Sequence, residues 1–494
     1  MRRKFNNSKG VVMPTIIIII AIVTLLSISA IFVIDNQTLA VSRTKIGEDA
    51  IHIAEAGYNY YLWHLNDDTQ FYRIGLDKDG KLVPETYYTE AENDLWVDFP
   101  KEYEPVEYAS AGKVVGYYRL HIVPPSIGEP VVTIRSTGWT TEKADNKKTI
   151  EVKVHKKLFT NYVCFAGDMS TPSGTLLYWG DGEEVRGPFH TNGNLRTLGR
   201  PIFHDDVCYA KDWNNGGSPV FKKPGQPQKV ESLIFPESNK SLAYWGEEVN
   251  GGYKYEGRTC ILLENSALHI RNVKIEKNAI KLHPLPQSSV IYIKGDLYIS
   301  GVLDGRLTIL VEGNIYITRR DPTDYNYNNA KYTGGIEYAN TNIPTLTEEN
   351  PIDPSDDMLG LVSNGNIYVH SYGWPKWGKA WPWSKEGEYI DTSYRDSSST
   401  KNITIHAALF GYSTKSCYGV QDYNNLGNMG RIYFTGSQVF SKMGATYTTS
   451  GSRIYGYKED NTFDLRMRYD APPHFLEPKN SGWEVKSWRQ ITPP

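Results

Sequence analysis

The sequence predicts a mostly β chain led by one long α-helix. The helix is transmembrane in its first half, and a small antiparallel sheet and then a β-solenoid or β-helix-like body follow it. Three observations carry this reading. An uncharged apolar run stretches from Val11 to Ile34. Apolar positions then recur at three- and four-residue spacing as far as Leu65. Beyond Leu158, short apolar strands alternate with Gly, Asn and Asp, and one five-residue pattern returns. The chain has 494 residues, with 35 Tyr, 43 Gly and only 4 Cys. Its 53 basic and 56 acidic side chains nearly balance, which excludes a general nucleic-acid binder. An ordinary apolar content excludes wholesale disorder.

The helix comes first. Arg2, Arg3, Lys4 and Lys9 precede the apolar run. At 1.5 Å per residue, residues 11–34 span about 36 Å, enough to cross a bilayer. The β-branched block Ile16–Ile20 favours a strand in water. In lipid the backbone must satisfy its own hydrogen bonds, so a helix wins. The basic flank places the N-terminus in the cytoplasm and the bulk of the chain outside, in a single-pass arrangement. A secretory signal peptide cut after Ser29 or Ala30 is the rival. The apolar run is longer than a usual signal core, and the helical pattern continues past it. Ile46, Ala50, Ile53, Ala54, Gly57, Tyr58, Tyr61, Leu62 and Leu65 form an apolar stripe beside Arg43, Lys45, Glu48 and Asp49. One helix over about 11–66 follows, a rod suited to lateral packing.

A short basic leader ending in Lys9-Gly10, an apolar helix, and Ala54-Glu55-Ala56-Gly57 opening its outer half resemble the N-terminus of type IV pilin-like proteins. The PilX-like minor pilins are the nearest variety. The resemblance implies a leader over 1–10, cut by a prepilin peptidase between Gly10 and Val11, with the new N-terminus methylated. It also implies helix packing through Thr15, Ala54, Glu55, Ala56 and Gly57 against other pilin-like subunits. Major pilins carry Glu at the fifth mature position, where this chain has Thr15, and Pro14 comes unusually early. The expected partners are the membrane, the prepilin peptidase and pilin-like subunits.

Residues 67–157 form the expected small pilin-like β region. Its start is acidic and punctuated by Pro84, Pro100 and Pro105. Strands follow at Val114–Val123, Pro130–Ser136 and Thr149–His155, with a turn at Ala144-Asp145-Asn146-Lys147 before the last. Residues 158–490 form the extracytoplasmic β-solenoid-like body. Gly295-Asp296-Leu297-Tyr298-Ile299 is echoed by Gly313-Asn314-Ile315-Tyr316-Ile317 and Gly365-Asn366-Ile367-Tyr368-Val369. The first two echoes suit successive coils, with Gly and Asn expected at positive-φ corners. Cys260–Leu263, Ile403–Phe410 and Arg431–Thr435 are further rungs, and a β-sandwich is the competing architecture. This body also resembles an uncharacterised β-rich family of unknown function found behind pilin-like N-termini. The matching stretches are 187–194, 305–317, 357–361 and 405–409.

Chemistry is sparse. No nucleophile elbow, His-Glu-x-x-His helix or phosphate loop occurs. His190, Asn192 and Asn194, with Asp181, Glu183 and Glu184 upstream, are the best polar cluster, and turn chemistry is the simpler account of them. Glu348, Glu349, Asp353, Asp356 and Asp357 lack a calcium-loop spacing. No catalytic residue, metal or cofactor is therefore expected. Cys164, Cys208, Cys260 and Cys417 lack Cys-x-x-Cys spacing, leaving disulfides and free thiols both open. Trp374, Trp377, Trp381 and Trp383 form a candidate ligand loop for surface polysaccharide or peptide. Together these readings describe an accessory or tip component of a type IV pilus-like system. A surface enzyme on envelope polysaccharide and a plain anchored adhesin using the tryptophan loop are the alternatives.

Overall fold

A computed structural model describes residues 12–67, 105–125, 130–274, 280–324, 330–346, 354–370, 402–451 and 453–492. The chain is mostly β with one long N-terminal helix and a small antiparallel sheet. It divides into two units: residues 1–125, 131–155 and 483–494, and residues 126–130 and 156–482.

The first unit is built on α1 (Val12–Asp67), 56 residues without a break and therefore about 84 Å long. Pro14 sits in its first turn, where no intrahelical N–H is needed. The apolar half is exposed throughout its length. Two of its hydroxyls bond back to the helix: Thr24 Oγ1 donates to the Ile20 carbonyl at 2.7 Å and Ser27 Oγ to that of Val23 at 2.8 Å. The second half lies on a sheet of β1 (Val106–Ser110), β2 (Lys113–Val123), β3 (Val132–Thr140) and β4 (Lys148–Lys156), antiparallel in series. Period-two alternation turns Tyr118, Leu120 and Ile122, then Ile134, then Ile150, Val152 and Val154 toward α1. There they bury Ile53, Ala54, Tyr61 and Leu65.

The helix approaches this sheet closely because the facing residues are small. A Cβ on Gly138 would stand 2.3 Å from the Ala50 carbonyl oxygen and 2.5 Å from the Ala54 nitrogen. One on Gly57 would stand 2.5 Å from Ser136 Oγ. The unit boundary departs from the sequence reading at the other end of the chain. Trp483–Ile491 is a strand that returns to pair beside β4, so the body stops near residue 482 rather than 490. Trp483 Nε1 donates to the Leu65 carbonyl at 2.7 Å, tying this strand to the end of α1.

The second unit is dominated by parallel ladders. In one of them the spatial order is Gln228–Lys229, Val207–Tyr209, Phe189–Thr191, Cys164–Asp168, Asn428–Lys442, Ile403–Gly411, Met358–Ser363, Arg306–Val311, Val290–Lys294 and Tyr253–Glu256. Every neighbouring pair in it is parallel. The unit therefore begins in the middle of its own ladder. One run climbs from Cys164 to Lys229, and the chain then restarts at the far end with Tyr253 and works back to Lys442.

The echoed pentapeptides are neighbours in a second ladder. Tyr298 faces Tyr316 and Tyr316 faces Tyr368, in register and in parallel. Their rings stack at 4.5 and 6.0 Å. The Gly-Asx step has a cause different from the expected positive φ, which Gly295, Gly313 and Gly365 do not adopt. The Asn314 N–H donates to Asp296 Oδ1, 18 residues earlier, at 2.8 Å. The Asn366 N–H donates to Asn314 Oδ1 at 2.8 Å, and the Cys417 N–H to Asn366 Oδ1 at 3.0 Å. Each Asx side chain lies in the space a Cβ would need on the next glycine, 2.3 Å from that position at Gly313 and 2.5 Å at Gly365. Glycine is required here for close approach.

Candidate functional site

The apolar half of α1 is one candidate functional surface. By length and composition it can cross a membrane, and none of its most apolar stretch is buried against the rest of the chain. Thr15 is exposed on it. Ala54 and Gly57, expected to pack against neighbouring subunits, are buried on this chain's own sheet. Glu55 and Ala56 are half-buried at the edge of that contact, and Glu55 Oε2 lies 3.1 Å from His52 Nδ1. Gly10 and Val11 lie outside the described residues, as do Trp374, Trp377, Trp381 and Trp383.

The polar cluster around His190 is structural. His190 is 1% exposed, and its ring stacks on Phe165 at 4.9 Å between centroids. Burial pushes its pKa down to about 4, against the hydrogen bond with Asn192. Asn192 donates to the Leu233 carbonyl at 2.7 Å and accepts the Leu233 N–H at 2.9 Å, pinning the backbone of Leu233. Asn194 accepts the Asp212 N–H at 3.2 Å, repeating the Asx device of the pentapeptides. Asp181 accepts the Arg200 N–H at 2.9 Å, and Glu184 lies 3.2 Å from Arg186 and 3.0 Å from His204. Asp181 and Glu184 are thus engaged separately, each with its own partner.

The other acidic group also serves the backbone. Asp357 is buried and accepts N–H groups from Gly305 at 2.6 Å and Asn340 at 2.9 Å. Asp356 is exposed, while Glu348, Glu349 and Asp353 lie outside the described residues. No group of three or more His, Cys, Asp or Glu able to hold a metal ion occurs among the described residues. All four cysteines are free thiols, three of them buried and Cys208 half-buried. Burial raises the thiols of Cys164 and Cys260 to about 12 and those of Cys208 and Cys417 to about 11, so none is a reactive thiolate.

Sequence reasoning missed one constellation. Glu459 stands on the strand Arg453–Thr462, and its carboxyl is enclosed although the residue as a whole keeps some exposure. Burial raises its pKa against hydrogen bonds from Asn461 and Thr446, and the charge of Glu183 raises it further. Glu183, half-buried, accepts the Tyr447 hydroxyl at 3.2 Å through one oxygen and the Gly180 N–H through the other. No spacing rule links Glu183 to Glu459. An isolated parallel bridge between Arg186 and Thr462 brings their chain segments side by side.

The solved structure of the competence-associated pilin ComZ from Thermus thermophilus is similar over 90% of this chain and 97% of that one, with 11% identity and a TM-score of 0.30. A likeness that distant does not bear on function. No family model matches the chain, and no curated protein matches it.

Proposed function

We propose that the chain is a non-catalytic, membrane-anchored minor pilin-like protein, displaying a β-solenoid outside the membrane as an accessory or tip component of a type IV pilus-like system. The observation that carries this reading is the division of labour along α1. One unbroken helix is apolar and bare over its first half and folded onto its own antiparallel sheet over its second. Such a helix anchors the chain in lipid and exchanges lipid for the apolar helices of other pilin-like subunits. Thr15 contributes no charge to that exchange.

The leader reading assigns a prepilin peptidase cut between Gly10 and Val11. Arg2, Arg3, Lys4 and Lys9 hold that end in the cytoplasm. The absence of a catalytic role is supported by His190, Asp181, Glu184 and Asp357, whose side chains are taken up in ladder and corner contacts. The deciding experiment is mass spectrometry of the mature N-terminus purified from native membranes. Methylated Val11 is the expected result. A chain that retains residues 1–10, or starts near Ala30 or Ile31, overturns the reading.

A further inference from the structure

The larger unit carries an irregular strap, residues 230–239, between the strand Gln228–Lys229 and the short helix Lys240–Trp245. Leu233 is 4% exposed, and the centre of the Phe235 ring lies 5.1 Å from that of Phe159, 5.5 Å from Phe165 and 5.9 Å from Phe410. The strap is tied down at two points. Asn192 holds both backbone groups of Leu233, and Asn480 Oδ1 accepts the Ile234 N–H at 2.9 Å.

The first tie fixes a proton. The Leu233 backbone orients the Asn192 amide, since its nitrogen must face the carbonyl and its oxygen the N–H. That oxygen also lies 2.9 Å from His190 Nε2, so Nε2 carries the hydrogen and donates it. The neutral ring therefore keeps its lone pair on Nδ1, which is buried and has no hydrogen-bond partner among the described residues. A second proton goes to Nδ1, where no acceptor stands, and places a charge in a site 1% exposed. Phe165, Tyr162 and Cys208 face the ring from its own ladder, and Leu233 meets it from the strap through Asn192. None of these is charged in acid. The acids of the strap, Glu231 and Glu237, are exposed, and Glu237 is 2.5 Å from Lys479.

We propose that His190 is an acid-sensitive latch: on protonation its ring leaves the slot against Phe165, the bonds between Asn192 and Leu233 break, and the strap lifts from Phe159, Phe165 and Phe410. The device turns acidity into exposure of an aromatic surface. Its working range follows from the two states of the ring. In the closed state burial holds the pKa down at about 4, whereas the ring freed by opening titrates near the ordinary value of 6.5. The closed state is thus at full strength above that ordinary value. It weakens about tenfold per pH unit below it, until the closed-state value is reached. The inference is independent of the pilin-like reading.

The test is hydrogen exchange read by mass spectrometry on the full chain in detergent micelles, at about pH 7.5 and about pH 4.5, corrected for the intrinsic pH dependence of amide exchange. Residues 230–235 should exchange about 20- to 100-fold faster at the lower pH, with residues 306–311 as the internal reference. His190→Gln, which keeps a donor for Asn192 and does not titrate, should abolish that rise. Should His190→Gln not fold, His190→Phe takes its place, since it keeps a ring against Phe165 and does not titrate either. A wild-type strap equally protected at both pH values, a rise that persists in the variant, or an equal rise in residues 306–311 would each overturn the proposal.

Discussion

Gly138→Ala tests how closely α1 lies on its sheet. Propensity alone predicts a gain, because glycine in a strand interior is worse than alanine by about 0.5–1 kcal/mol. The structure predicts the opposite. The new methyl would stand 2.3 Å from the Ala50 carbonyl oxygen and 2.5 Å from the Ala54 nitrogen, both backbone atoms that no rotamer change can move. Relief requires α1 to lift by about 1 Å, and a gap of that order forfeits roughly a quarter to a half of each van der Waals well along the contact. That contact holds Ile53, Ala54, Tyr61 and Leu65 in the core. Overpacking of this kind costs roughly 2–4 kcal/mol, leaving a net loss of about 1–3 kcal/mol after the propensity gain. Hydrogen exchange read by mass spectrometry in detergent localises the effect. Amides of β2 to β4 should exchange about 5- to 150-fold faster, with residues 297–317 as the internal reference. Exchange equal to or slower than wild type would refute the argument that small residues set the helix–sheet distance.

Asn314→Ala removes the acceptor of the Asn366 N–H and should cost about 1–3 kcal/mol. The loss would appear as faster exchange over residues 365–369, and Asn314→Asp, which keeps the acceptor, should recover most of the protection. Glu151, nearly buried on β4, supplies the pH dependence. Burial opposes its ionisation, but hydrogen bonds from Arg135 and Arg489 outweigh that and hold its pKa below the usual carboxylate range. A depressed folded-state pKa gives stability that is present above the unfolded value of about 4.3 and lost as pH falls through the lower folded value. The stability of the smaller unit, followed by exchange across that range, should therefore fall on acidification. Glu151→Gln should flatten the profile.

The sequence made some of this architecture legible because the residues repeat in kind. Gly-Asx followed by an apolar-Tyr-apolar triplet shows itself since each Asx occupies the space above the glycine of the next layer, so the same two residues recur wherever the contact does. The run from Val185 through Phe203 to Phe221 keeps the same 18-residue spacing, and Leu195 lies beneath Trp213 in the same way. These layers share only apolar character, and apolar residues at one spacing do not stand out from their neighbours. The small face Ala54–Gly57 was readable as a packing surface. Its partner was not, because Gly116 and Gly138 sit in strands whose alternation says nothing of what lies across from them. Glu183 was visible as a polar residue, whereas Glu459 belongs to a strand brought beside it by tertiary pairing alone. The return of Trp483–Ile491 to the N-terminal sheet left no local mark, since its composition matches that of any exposed strand.

Starting a ladder in its middle sets a timetable for the chain. Cys164–Asp168 exposes one open edge until Asn428–Lys442 arrives, and Lys442 reaches Asp168 across 274 residues. At synthesis rates of about 5–20 residues per second that interval is roughly 15–55 s. The smaller unit waits longer, because Glu151 receives Arg489 from 338 residues downstream. Both units are thus completed by late-made strands, and unpaired edges invite mispairing while they remain open. A chain cut short by a dozen residues would still thread its helix and stack its layers, yet it would leave β4 as a raw edge. Loss of the C-terminal strand should therefore register first as aggregation during biogenesis, ahead of any change in a finished molecule.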